Sequence, residues 1–258
     1  MRKNTTKNKL QKGESVYGLF CTISAPAIVE MAGLLGFDFV IIDAEHGPMD
    51  LETCEHMIRA ADSVGITPIV RVAVNLRQNI LRYLDAGALG VMLPMVNTRE
   101  EAHAVVESVK YPPMGRRGLA GVRANSYALN QGLADYVKDA NRETLVMTQV
   151  ETMDAVRNIG DMAKVEGLDV LFVGPTDLSA SMGYPGQADQ PQVRETITKL
   201  AHEIAAGGKV AGSIAYDLDT LRARKKDGFR LLVAGVTSLL AKSSREYLAA
   251  ARGSLAKP

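Results

Sequence analysis

Three side chains able to carry charge or a proton sit together in Asp43-Ala44-Glu45-His46-Gly47-Pro48, directly behind the apolar stretch FDFVII. Carboxylates and an imidazole set against a buried strand are costly to desolvate unless the fold uses them. Similar groups close other apolar runs: Arg71 after PIV, Gln149 and Glu151 in TQVE, and Gly174-Pro175-Thr176-Asp177 after VLFV. His46 is a candidate base, because an imidazole titrates near neutral pH. Arg71 keeps its charge and could hold a developing oxyanion. Glu151 and Asp177 have no cysteine or second histidine near them in the sequence. Two hard oxygen ligands suit Mg2+, Mn2+ or a similar divalent ion, completed by water and substrate, whereas a structural zinc would want sulfur or nitrogen. The backbone N–H groups around GPTDLS offer a seat for a small carboxylate. A metal, a carboxylate seat, an oxyanion clamp and a base together describe enolate chemistry on a 2-oxo acid.

These residues need a scaffold that brings distant strand ends to one face. Eight apolar, β-branched runs recur: YGLFCTI from 17, FVIIDA from 39, PIVRV from 68, GVMLPMV from 90, TLVMTQVE from 144, DVLFVGP from 169, KVAGSIA from 209 and FRLLVAGV from 229. Continuous rather than alternating hydrophobicity indicates strands buried on both faces, hence parallel. Between them lie helical patterns with boundary signals. Asp50 can cap a helix over 51–64 that Gly65 stops, and Asn75 can cap the next, which stops near Gly87. Thr98 and Glu101 form a possible capping box for a helix ending before Pro112-Pro113. Eight β-then-α units predict a single-domain α/β protein, a (β/α)8 TIM barrel over 15–258, with chemistry at the C-terminal ends of its strands. An open doubly wound sheet is the runner-up, but SAPAIVE after the first strand is no dinucleotide-binding turn.

Composition excludes several classes. The chain has 258 residues, 47% hydrophobic and 23% charged, with a net charge of +1. That suits a soluble globular protein with a large core and suggests neither nucleic acid nor a membrane surface as partner. Residues 1–14, MRKNTTKNKLQKGE, read as a flexible, solvated arm, with no following apolar run to make a signal peptide. Two cysteines, Cys21 and Cys54, without metal-type spacing, are consistent with a reduced cytoplasmic protein. The stretch from 112 to 143 is long for a loop inside a compact domain and is expected to carry function or partner contacts.

The motifs IIDAEHGPMD, GVMLPMVNTREEA, YPPMGRRGLAG, TQVET and FVGPTDLSASMGYPG resemble the metal-dependent class II pyruvate aldolases of the HpcH/HpaI family, from about residue 10 to 250. The resemblance implies a carbon–carbon lyase that reversibly cleaves a 4-hydroxy-2-oxo acid to pyruvate and an aldehyde, using Mg2+, Mn2+ or Co2+. It implies Glu151 and Asp177 as metal ligands, His46 as acid/base and Arg71 as enolate stabiliser. Gln149 would orient pyruvate. Gly174, Pro175, Thr176 and Ile214 would contact substrate, with Ser126 near the carboxylate seat, and Asp43 and Glu45 would support the metal and the base from behind. It further implies a homo-oligomer, a hexamer, in which the C-terminal helix packs on a neighbouring subunit. The family pairs an aspartate at the position of Asp85 with the catalytic histidine. Asp85 ends the helix before the fourth strand, at the bottom of its own barrel, so it is expected to act in a neighbour's site.

The chain departs from the family pattern after Arg71, where it reads AVNLRQ, at the end of the first strand, which reads FCTIS where many members carry Trp, and at Thr176, usually Ala. The first two departures fall where the aldehyde should sit. Oxaloacetate decarboxylation, or bond formation as in macrophomate synthase, would use the same machinery. A Schiff-base aldolase would need a lysine at a strand's C-terminal end, whereas Lys209 starts the seventh strand on the wrong face. A thioester-dependent lyase typically lacks EHG after the second strand. A non-catalytic protein on this scaffold would not need the intact set of His46, Arg71, Glu151 and Asp177.

Overall fold

The computed structural model describes residues 1–255; the last three residues of the expected 15–258 domain lie outside it. Eight parallel strands close into a barrel in chain order: β1 (Val16–Cys21), β2 (Phe39–Asp43), β3 (Thr67–Arg71), β4 (Gly90–Leu93), β5 (Leu145–Val150), β6 (Val170–Val173), β7 (Val210–Ile214) and β8 (Leu231–Gly235), with β8 pairing back onto β1. The chain is therefore a (β/α)8 barrel, and each predicted strand is found within a few residues of its expected start.

The strand period of two explains how the barrel is filled and where it turns polar. Phe39 and Ile41, Ile69, Leu145 and Met147, Val170 and Phe172, and Leu231 and Val233 form one inward-facing cluster. Val40, Ile42, Val70, Val146, Leu171 and Leu232, of opposite parity, pack outward against the helices. Space inside is tight: a Cβ on Gly18 would stand 2.2 Å from the Phe39 ring, so glycine there is what lets the phenyl group fill the middle. Continuing each inward row one step towards the C-terminal end reaches Asp43, Arg71, Gln149, Gly174 and Gly235. The side-chain parity that packs Phe39, Ile69 and Met147 into the core thus delivers the polar residues to one layer at the top.

The helices follow mostly as expected. Asp50 caps α3 (Leu51–Val64) through the Thr53 amide at 2.8 Å, and Gly65 at φ 75° ends it. Thr98 and Glu101 make a complete capping box on α5 (Arg99–Val109). The expected cap at Asn75 does not form; α4 (Arg77–Asp85) starts after Leu76 without a side-chain cap.

Two larger differences concern segments expected to be irregular. The N-terminal stretch is not a solvated arm: Thr5–Gln11 form α1, with Asn4, Thr6, Lys7 and Leu10 buried against the floor of the barrel. Polar groups at the strand starts explain it. Asn4 Nδ2 donates to the carbonyls of Leu89 and Glu143, Thr6 Oγ1 to that of Asp38, and Lys7 Nζ to that of Thr144. The stretch from 112 to 143 is not one loop either. It contains a 3-10 turn at Arg123–Ala128 and α6 (Leu133–Glu143), whose Tyr136 packs edge-on to Tyr111 at 6.0 Å.

Candidate active site

A cavity of about 300 Å³ opens at the C-terminal end of the barrel. Of the expected site residues, Asp43, His46, Arg71, Gln149, Gly174, Pro175, Thr176, Asp177 and Ile214 line it.

Asp43 organises one side. It is fully buried at the end of β2, in register with Arg71 on β3. Its Oδ1 accepts from Arg71 Nε at 2.8 Å and its Oδ2 from an Arg71 terminal nitrogen at 2.6 Å, a bidentate pair that fixes the guanidinium plane. The same Oδ1 accepts the amides of Glu45 and His46 at 3.1 and 3.2 Å, which folds the AEH turn back over the strand end. Gly47 is required there, since a Cβ would lie 2.4 Å from the Asp43 carbonyl oxygen. The Arg71 guanidinium also stacks over Phe20 at 4.5 Å. Its remaining terminal nitrogen is 3.5 Å from Gln149 Oε1 and 3.2 Å from Glu45 Oε2.

The other side is built on β5. Gln149 Nε2 donates to Glu151 Oε2 at 2.5 Å. Glu151 Oε1 accepts the amide of Met95 at 2.6 Å; Met95 holds φ 54°, an uncommon conformation for a side-chain-bearing residue and one that aims this donor. Glu151 thus lies behind Gln149 and Gly174, with its Oε2 3.4 Å from where a Gly174 Cβ would be. Burial pushes the Glu151 carboxyl above the usual carboxylate range, and the charges of Asp177 and Glu45 act in the same direction. Glu45 is raised too, by burial first, against the opposing pull of Arg71 and His46. Its Oε2 is buried, with the Arg71 ion pair at 3.2 Å and no contact of hydrogen-bond geometry.

Like charges gathered in a place that resists ionisation are what a cation would relieve. The donors are all oxygen, which suits a hard divalent ion. Among the described residues no group of three or more His, Cys, Asp or Glu side chains forms a metal cage; Asp177 lines the cavity and Glu151 stands behind its wall, close enough to feel the charge of Asp177. His46 stands at the rim with its side chain 63% exposed and its Nε2 3.9 Å from Glu45 Oε2.

Two expected residues are not part of this cluster. Asp85 ends α4 at the floor of the barrel, where Arg117 donates to its Oδ1 at 2.8 Å. Ser126 lies at the same end: it lines a separate cavity with Met1, Arg2 and Leu89, so within one chain it is not near Thr176 and Asp177. No residue of 112–143 lines the upper cavity. Its outer wall is instead Thr22, within the FCTIS stretch expected to meet the aldehyde, together with Tyr216, Thr237 and Ser238, which no sequence motif marked. Thr22 continues the inward row of β1 beyond Phe20, a signal the two-residue period carries; Tyr216 has none, because it lies in the turn after β7.

A closed parallel barrel with a charged, carboxylate-rich layer at its C-terminal mouth defines a TIM-barrel enzyme. Residues 16–243 match the model of the HpcH/HpaI aldolase/citrate lyase family. The chain is 34% identical over 256 residues to the hydroxypyruvate/pyruvate aldolase of Pseudomonas aeruginosa, covering 99% of this chain and 95% of that protein. It is 33% identical over 237 residues to the 2-keto-3-deoxy-L-rhamnonate aldolase of Salmonella paratyphi B, covering 92% and 88%. A crystal structure of an HpcH/HpaI aldolase/citrate lyase family protein from Burkholderia cenocepacia J2315 superposes with a TM-score of 0.91 at 31% identity, over 96% of this chain and 99% of that one. The chain belongs to the HpcH/HpaI aldolase/citrate lyase family, and is a carbon–carbon lyase.

Proposed function

We propose that this enzyme is a divalent-metal-dependent class II pyruvate aldolase, reversibly cleaving a 4-hydroxy-2-oxo acid to pyruvate and an aldehyde. The observation that carries the reading is the polar layer at the barrel mouth, where Asp43, Arg71, Gln149 and Glu151 form one hydrogen-bonded row facing Asp177. Named aldolases similar along nearly the whole chain support it.

Glu151 and Asp177 would hold the cation, Mg2+, Mn2+ or Co2+, which when bound supplies the Lewis acidity that polarises the keto group of a 2-oxo acid. Gln149 would orient that acid from the cavity floor, with Gly174, Pro175 and Ile214 around it and the amides of Thr176 and Asp177 as the seat for its carboxylate. Arg71, immobilised by Asp43, presents a fixed positive edge to charge developing on the keto oxygen. His46 at the rim takes or returns the proton of the aldehyde-forming hydroxyl, with Glu45 beside it.

Asp85 would serve the histidine of a neighbouring subunit, with Ser126 reaching a neighbour's carboxylate seat from the same floor. That requires a homo-oligomer, and a hexamer is the family's expected form. The C-terminal helix α11 (Val236–Leu255) suits such an assembly: Leu239, Leu240, Tyr247 and Leu248 are exposed along it. Both cysteines are free and buried and no described helix is long and apolar enough to cross a membrane, in keeping with a cytoplasmic enzyme.

The test is proton–deuteron exchange of the pyruvate methyl group in D2O, followed by NMR, with Mn2+ and with chelator. Metal-dependent exchange, and cleavage of an aldol product under the same conditions, is the expected result. Exchange that continues in chelator would refute the metal reading, and oxaloacetate decarboxylation without any aldol cleavage would move the assignment to the decarboxylase.

A further inference from the structure

The cavity's outer wall carries information that the reacting groups do not use. Thr22, Thr176, Tyr216, Thr237 and Ser238 place five hydroxyl-bearing side chains around one opening. Two of them are joined: the Tyr216 hydroxyl lies 3.1 Å from Thr176 Oγ1, bridging the turn after β7 to the start of α8 (Pro175–Ser181). Tyr216 also lines a second, apolar pocket with Tyr17, Phe37, Leu218, Leu221 and Leu239. Tyr216 therefore has apolar neighbours on one side, and its hydroxyl is tied to a residue of the cavity wall.

Charge on this wall is one-sided. Among the described residues lining the cavity, Arg71 is the only lysine or arginine, and Asp43 already grips it on two nitrogens. With Asp177 and Glu151 neutralised by the divalent cation proposed above, Glu45 remains as a carboxylate close by, and an acceptor with an anionic tail finds no free cation to pair with. An acceptor that is wholly apolar would strip water from the hydroxyls without replacing its hydrogen bonds, a cost of about 1–3 kcal/mol per group left unpaired. An uncharged aldehyde bearing its own hydroxyl meets neither penalty.

We propose that the Tyr216 hydroxyl, positioned by Thr176, selects the aldehyde partner by reading a hydroxyl group next to its carbonyl. The inference rests on the aldolase reading above and deepens it. Tyr216 bonds the side chain of Thr176 and not the amide that would seat the keto acid's carboxylate, so its effect falls on the choice of acceptor.

The experiment measures kcat/KM for addition of pyruvate to glycolaldehyde and to acetaldehyde, which differ by one hydroxyl, in the full-length enzyme and in Tyr216→Phe with Mn2+ present. Intrinsic reactivity of the two aldehydes cancels, because the same pair is compared in two proteins. The preference for glycolaldehyde is expected to fall about 5- to 10-fold in the variant, as loss of one hydrogen bond predicts. A third acceptor, succinic semialdehyde, is expected to be the poorest of the three in both proteins. A glycolaldehyde-to-acetaldehyde ratio within twofold of wild type, in a variant that still exchanges the pyruvate methyl protons, overturns the role of Tyr216. A wild-type enzyme that exchanges no pyruvate protons overturns the underlying aldolase reading instead, and this proposal with it.

Discussion

Asp43 holds Arg71 by two nitrogens at 2.8 and 2.6 Å across adjacent strands in register, and both side chains are buried. This pair explains why an apolar strand runs straight into charge at IIDAEHG. The carboxylate neutralises a guanidinium that must be desolvated, and its spare lone pairs tie down the turn carrying Glu45 and His46. Breaking it by Asp43→Ala leaves an unpaired buried charge and should cost about 3–5 kcal/mol of stability. Arg71→Lys keeps the charge but loses the two-point grip, so pyruvate proton exchange should slow about 100- to 1,000-fold with a smaller loss of stability. Urea unfolding and the exchange rate, measured on both variants, separate the two effects; equal exchange in Arg71→Lys and wild type would refute the oxyanion role.

Asp177 raises the cost of ionising Glu151, and a divalent cation should reverse that. Titration calorimetry with Mn2+ should give one site per chain in the wild type and at least a 100-fold weaker site in Glu151→Gln or Asp177→Asn. Unchanged Mn2+ affinity in both variants would place the metal elsewhere.

His46 sits at the rim rather than in the buried row, so removing it should spare the binding of the keto acid. His46→Ala should slow aldol cleavage by roughly 100- to 10,000-fold while the pyruvate dissociation constant stays within a few-fold of wild type. Cleavage at the wild-type rate would eliminate it as the acid/base.

How much of this could be read from the chain follows from which period carried it. The eight strands are continuous apolar runs with the polar residues directly behind them, so the placement of Asp43, Arg71 and Gln149 at the strands' C-terminal ends was legible, whereas the direction each points is set by the two-residue period within the barrel. The α3 and α5 boundaries were legible because Asp50 and Thr98 cap their own helices by local bonds. Helix α1 was not, because its buried face is polar: Asn4, Thr6 and Lys7 are held by strand-end carbonyls far away in sequence, and hydropathy reads such residues as solvated. The position of Ser126 beneath its own barrel was hidden for a related reason. The segment that carries it turns through left-handed residues, Ser126, Tyr127 and Ala128 at φ 54°, 57° and 60°, and runs beneath the barrel, which no periodic pattern reports. Tyr216 escaped because its partner, Thr176, is joined to it only by the closure of the barrel.

Asp85 offers a test of shared sites. In its own chain it pairs with Arg117, whose guanidinium stacks on Tyr111 at 4.8 Å, so the carboxylate is held at the floor by a fixed partner. Asp85→Asn and His46→Ala should each be nearly inactive alone. Mixed after denaturation and refolded together, they should recover up to about a quarter of wild-type activity, because some interfaces then combine an intact His46 with an intact Asp85 from different chains. Recovery absent from mixtures that do form hetero-oligomers by native mass spectrometry would confine Asp85 to a structural role.

The barrel floor carries its own pH signature. Lys110 is buried, with Nζ donating to the carbonyls of Asn141 and Thr144 at 2.8 Å, and the Thr144 carbonyl is shared with Lys7 at 2.9 Å. Burial first, and then the charge of Lys7, push the Lys110 amine down to about 7 from its ordinary 10.5. The unfolded chain therefore binds a proton at this position that the folded chain has released between those two values. Stability must rise with pH across that window, by at most about 1.4 kcal/mol per pH unit, and must be lowest below pH 7, where the buried ammonium has to stay charged. Lys110→Met removes the group from both states while Lys7 still donates to the Thr144 carbonyl. Urea unfolding of both proteins at intervals from pH 6 to 10 should show the wild type gaining on the variant as pH rises. Parallel curves would mean that Lys110 keeps its proton in the fold, held by the two carbonyls it faces.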